Sequence, residues 1–113
     1  MGVLPVSSKA MDHCVELCVK CARACEECLV ACLGEHDVKA RAKCIKSLVD
    51  CAAICFLAIQ FMDRDSMHAK ALCKLCAEIC DECAMQCGMH KDEHCPECAR
   101  ICKECADACR KMA

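Results

Sequence analysis

Residues 95–109 read CPECARICKECADAC, with cysteines at Cys95, Cys98, Cys102, Cys105 and Cys109. The steps between them are 3, 4, 3 and 4. That alternation brackets the period of an α-helix and lines all five residues along one face. A strand would need a period of two, which the chain does not show. Two residues along a helix is a rotation of about 200°. The positions two beyond these cysteines are Glu97, Arg100, Glu104, Asp107 and Lys111, all charged. The cysteine stripe therefore points inward and the charged stripe meets water.

The same register recurs upstream. Cys14, Cys18, Cys21, Cys25, Cys28 and Cys32 form the first block, with Glu16, Lys20, Arg23 and Glu27 on the outward face. Cys73, Cys76, Cys80, Cys83 and Cys87 form another. Between them lies a sparser set, Cys44, Cys51 and Cys55, where Leu48 and Ala58 fill further stripe positions. Four helices follow, expected over residues 8–33, 37–62, 66–88 and 93–112. Serine starts and Gly34 stops the first, Asp37 caps the second, the third opens near Asp65 or Ser66 and ends around Gly88, and Asp92 precedes the fourth, whose first turn tolerates Pro96. Short links make antiparallel neighbours, so the fold class is all-α: one up-down-up-down four-helix bundle over residues 1–113 with a cysteine-lined core.

Composition narrows the class. The chain has 113 residues, 19 of them cysteine, with only Phe56 and Phe61 aromatic and a net charge of −2. Nothing in that balance suits a nucleic-acid partner. No uninterrupted apolar run approaches the roughly 20 residues of a membrane span. The start, residues 1–7, carries no charged and apolar export leader, and Val6 stands where a myristoylation motif needs Ser or Thr. A disulfide scaffold fits poorly, because the count is odd and only 3 Gly and 2 Pro are present. A reducing cytoplasmic compartment is expected, where dense cysteine means metal or redox chemistry.

A bundle packed with cysteine is poorly filled compared with one of leucine. Something else must occupy the space. Cysteines four apart on one helix have Cβ atoms about 5–6 Å apart, so a pair such as 14/18, 21/25 or 105/109 can bridge an ion. Cys44, Cys73 and Cys95 are left to act across helices. Soft thiolates suit Cu(I), zinc and iron–sulfur clusters. Four thiolates around Zn(II) leave a charge of −2, costly to bury repeatedly, whereas Cu(I) shared among an equal number of thiolates leaves none. Ferredoxin ligation needs successive C-x2-C steps that a 4-3 alternation never supplies. The residues thus favour a store of multiple Cu(I) ions, roughly one per cysteine by this charge balance, and no enzyme. A zinc-thiolate store or sensor is the alternative, and an iron–sulfur or redox carrier a further one.

The blocks CVELCVKCARACEECLVAC, CKLCAEICDECAMQC and CPECARICKECADAC resemble the cytosolic bacterial copper storage proteins, and the likeness runs from about Cys14 to Cys109. The resemblance implies a four-helix bundle whose interior thiolates hold Cu(I), a homotetramer and no catalysis. The second helix, with three cysteines, departs from the family pattern. Copper ions and a cytosolic copper chaperone are the partners such a store calls for.

The seam register continues past the cysteines to Met11, Met62 and Met112, which share one end in this topology. Their neutral thioethers mark a copper port, since helix flanks are expected to be closed by packing. The opposite end gathers His36, His90 and His94. His90 extends the third stripe, while His36 and His94 read as solvated loop residues, and His13 and His68 lie toward the methionines. A second apolar stripe on the second helix, Ile45, Val49, Ala52, Phe56 and Ile59, lies one position off the cysteines, with Ala53 and Leu57 on the face where charge is expected. It is expected to pack on another subunit.

Overall fold

Residues 8–113 are described by a computed structural model. The stretch 1–7, read above for export and lipidation signals, lies outside them. Four α-helices follow in order: α1 Lys9–Leu33, α2 Ala42–Asp63, α3 Ala69–Cys87 and α4 His94–Met112. α1 and α3 each flank both α2 and α4, which puts α1 and α3 on one diagonal and α2 and α4 on the other. This is the expected up-down-up-down bundle, and the molecule measures 48 × 22 × 17 Å.

The helix starts show where side-chain capping acts. Ser8 accepts from the Met11 N–H at 3.0 Å and starts α1. Asp92 accepts from the Cys95 N–H at 2.7 Å and so opens α4. Two expected starts are displaced. Asp37 makes no capping bond. Its carboxylate is instead taken by Arg41 at 2.7 Å, a 3-10 turn Val38–Arg41 intervenes, and α2 begins at Ala42. Ser66 spends its hydroxyl on the His68 N–H at 3.1 Å, so α3 begins at Ala69, three residues late. Gly34 and Gly88 end their helices with right-handed backbone, so neither is there for a left-handed turn. Among the described residues only Asp65 has that conformation, with φ 51°.

All 19 cysteines are buried. In α2 the stripe runs Cys44, Leu48, Cys51, Cys55, Ala58, Met62, and all six are buried. The 4-3 rhythm therefore holds in every helix, with apolar side chains replacing thiols in the second. The outward positions named above are exposed, Glu104 only partly. Residues Val38–Asp63 are long and apolar enough, by length and composition, to cross a membrane, with a mean hydropathy of 1.8 over 18 residues. The exclusion drawn from uninterrupted apolar runs is thus too strict, because a span can hold a charge or two. Here the apolarity has another use, for one face of α2 lies in the core.

Candidate metal centre

The bundle axis is a column of sulfur. The Cys14 and Cys18 sulfurs each lie 3.7 Å from Cys109. Cys18 also lies 3.7 Å from Cys105. Cys21 stands 3.7 Å from both Cys51 and Cys102. Cys51 then meets Cys80 at 3.7 Å, and Cys80 meets Cys55 at 3.8 Å. Cys44 and Cys87 are 3.5 Å apart. Sequence spacing suggested ion sites on single helices. Same-helix pairs such as 76/80, 83/87 and 98/102 do approach, at 3.9–4.0 Å, but the closer approaches join different helices. The reason is geometric: four inward stripes converge on one axis, and a facing sulfur is nearer than the next turn of the same helix.

These contacts build clusters whose donor atoms lie within 4.8 Å of one another. Two contain four sulfurs each, Cys21/Cys55/Cys80/Cys105 and Cys21/Cys25/Cys51/Cys102. Cys14/Cys18/Cys109 and Cys18/Cys55/Cys76 are trios. Cys18, Cys21 and Cys55 each belong to at least two clusters, so neighbouring sites share sulfurs. Isolated zinc tetrahedra need four ligands apiece. Shared sulfurs suit a monovalent soft ion that bridges from one thiolate to the next.

A mixed cluster, Cys28/Cys32/His94/Cys95, closes one end. His94 Nδ1 lies 3.2 Å from the Cys28 sulfur and 3.5 Å from that of Cys95. The reading of His94 as a solvated loop residue is corrected: it opens α4, one residue before a seam cysteine, and that neighbour was the signal available. His90 lies beyond the end of α3, its N–H bonded to the Cys87 carbonyl, so it does not continue the helical stripe. His36, in the α1–α2 connection, and His13 and His68 near the methionines are all exposed.

Arg41 escaped the sequence reading altogether. It is 5% exposed and, among the described residues, the one buried charged side chain. Its guanidinium binds Asp37 and Asp92, stands 3.9 Å from Glu35, and points Nη1 at the Cys95 and Cys32 sulfurs, 3.4 and 3.7 Å away. The bonds it donates to Asp37 and then Asp92 hold Arg41 firmly protonated. Burial acts to raise the Asp92 carboxyl, but the Cys95 N–H and Arg41 outweigh it and bring it down to about 2. Burial foremost, with Cys32 and Cys28 beside it, pushes the Cys95 thiol above the ordinary range. Cys109 pulls Cys73 down, yet Cys14 and burial prevail and carry it up to about 12. Cys105 goes the other way, to about 7, pulled down by Cys109 and then Cys18 beside it.

At the opposite end Met62 is 1% exposed, inside the core, while Met11 and Met112 pack half-buried against it. On the outer face of α2, Val49 and Phe56 are 48% and 49% exposed, Ile45 and Ile59 are half-buried, and Ala52 is buried. The helix flanks are not closed everywhere: a cavity of about 330 Å³ opens between α1 and α4.

The chain matches the family described as "Copper storage protein" over residues 7–113. It is 43% identical over 102 residues to the uncharacterized cysteine-rich protein YhjQ of Bacillus subtilis (strain 168), covering 90% of this chain and 94% of that one. Among solved structures it resembles the Cu(I)-bound copper storage protein BsCsp3, with 42% identity and a TM-score of 0.88 over 93% of this chain and 99% of that one. It also resembles the copper storage protein Ccsp of Streptomyces lividans loaded with 10 copper equivalents, with 33% identity and a TM-score of 0.90 over 97% of this chain and 92% of that one.

Proposed function

The chain belongs to the copper storage protein family, and from that premise we propose that it stores Cu(I) on its inward cysteines without catalysing a reaction. One observation carries this reading: the buried thiols form a column of shared clusters in which Arg41 is the single buried positive charge among the described residues. Ionised for metal binding, such a column demands cations in nearly equal number. Divalent zinc on four thiolates leaves each site at −2, whereas Cu(I) at roughly one per sulfur leaves the column close to neutral.

The ligands in this reading are the 19 cysteines. His94 stands within reach of the terminal cluster, the thioethers of Met11, Met62 and Met112 extend the column softly at one end, and His90 lies past the other. The compartment is the cytoplasm, in keeping with a relative from Streptomyces lividans described as a cytosolic copper storage protein. A cytosolic carrier of Cu(I), protein chaperone or small molecule, is the donor or acceptor. The exposed ridge of Val49 and Phe56, continued by Ile45 and Ile59, supports assembly through α2, and a homotetramer is the state proposed.

Anaerobic titration of the reduced protein tests the core claim. Binding should end near one Cu(I) per cysteine, without visible charge-transfer bands. Saturation by zinc near one ion per four cysteines, in preference to Cu(I), would overturn it in favour of a zinc store. A brown protein absorbing near 400 nm would point to an iron–sulfur carrier.

A further inference from the structure

Both ends of the sulfur column carry a buried side chain. At one, Met62 lies 1% exposed in the core. At the other, Arg41 is pinned between Asp37 and Asp92 and covers the Cys32 and Cys95 sulfurs. The cavity between α1 and α4 offers a different approach. Ala24 and Ile101 form walls, Glu27, Glu93 and Glu97 stand around it, and His94, Cys28 and Cys98 line it. Cys28 and Cys98 are each 2% exposed, as open as any cysteine in the chain.

We infer that this lateral cleft is where Cu(I) is exchanged, delivered and withdrawn as a complex with a small-molecule thiol. The inference rests on the storage reading above. The size sets the class of carrier, because a cavity of about 330 Å³ accommodates a low-molecular-weight complex and not a protein domain. The exchange balances as a ligand substitution. A copper–sulfur bond to the carrier breaks and a bond to Cys28 forms, while copper stays Cu(I). The Cys28 proton passes to the departing thiolate, which leaves as thiol.

From the cleft the ion has two onward paths of closely spaced sulfurs. One runs from Cys28 to Cys95 at 3.6 Å and on to Cys32 at 3.6 Å. The other runs from Cys98 to Cys102 at 3.9 Å, then to Cys21 and Cys51 at 3.7 Å each. Each step lets copper gain a new thiolate before it gives up the old one.

A labelling experiment tests the cleft without copper. Reduced metal-free protein is pulsed with N-ethylmaleimide, and the modified cysteines are mapped by peptide mass spectrometry. Cys28 and Cys98 should be labelled several-fold faster than Cys14 and Cys73 at the methionine end or Cys44 and Cys87. Equal labelling, or another set first, overturns the proposal. A second arm measures loading from the Cu(I)–glutathione complex in Glu97→Trp, a change at an exposed position beside the cavity, and in Ala24→Phe, with circular dichroism to check folding. Loading should slow several-fold in Glu97→Trp. Loading at the parental rate there, with slower loading in a Met11/Met62/Met112→Leu variant, places exchange at the methionine end and overturns the cleft. A parent protein that takes up no Cu(I) defeats the storage reading instead, and the labelling order still judges the cleft.

Discussion

Replacing Arg41 with methionine keeps bulk and removes the one buried charged side chain among the described residues. The side chain is 6% exposed and its main partner, Asp92, 15%. Breaking one side of a buried ion pair costs about 3–5 kcal/mol when the other charge is left stranded. Two features lower that figure here. Asp37 is 39% exposed, so water screens most of its share. Asp92 keeps its bond from the Cys95 N–H. The carboxyl titration gives an independent measure. Asp92 sits at about 2 against an ordinary value of about 3.9, a difference worth roughly 2–3 kcal/mol, part of which belongs to the Cys95 N–H. We therefore expect Arg41→Met to lose about 2 kcal/mol, or about 8 °C in Tm for a domain this size. Urea and thermal unfolding of the reduced metal-free protein, followed by circular dichroism, measure it.

The sign with pH is a second handle. A carboxyl with a depressed value stabilises the fold above its ordinary titration range, and that contribution fades as pH falls toward 2. The parent should lose its advantage between about pH 4 and pH 2, and the two unfolding curves should converge. Adding Asp92→Asn to Arg41→Met should restore part of the loss, because no stranded charge remains. A single variant as stable as the parent at neutral pH, or a gap that persists unchanged at pH 2, would refute this account of Arg41.

Three further outcomes are expected. The reduced metal-free chain should already give a helical circular dichroism spectrum, since Ser8, Asp92 and the charged outer stripes specify helices without metal; a coil that turns helical only with Cu(I) would contradict this. Val49→Glu with Phe56→Glu should reduce the assembly to smaller species on sizing, with most copper capacity retained because the ridge is offset from the thiols; an unchanged elution volume would sink the interface. Copper loading at neutral pH should release close to one proton per ion, because all 19 thiols are buried and burial opposes an unpaired thiolate. The signs follow: lowering pH weakens binding, raising it strengthens binding, and indicator-dye titration showing far fewer protons would count against neutral thiols in the metal-free core.

Much of this molecule is a one-dimensional pattern made solid. The 3-4 cysteine steps and the charged residues two positions on determine helix, inward face and outward face, because the helical repeat converts spacing into angle. Short links then leave little choice but antiparallel neighbours. The metal chemistry is equally legible, since thiol identity does not depend on packing. The starts of α2 and α3 were not, because Asp37 and Ser66 satisfy other partners, one of them the side chain of Arg41. Which sulfurs meet was decided only when four stripes closed on one axis and made facing helices nearer than successive turns. Arg41 among thiols, His94 within reach of Cys28, and a cleft on a flank expected to be closed all arise from residues distant in the chain. No local periodicity encodes them, because each depends on how α1, α2 and α4 approach one another at a single end of the bundle.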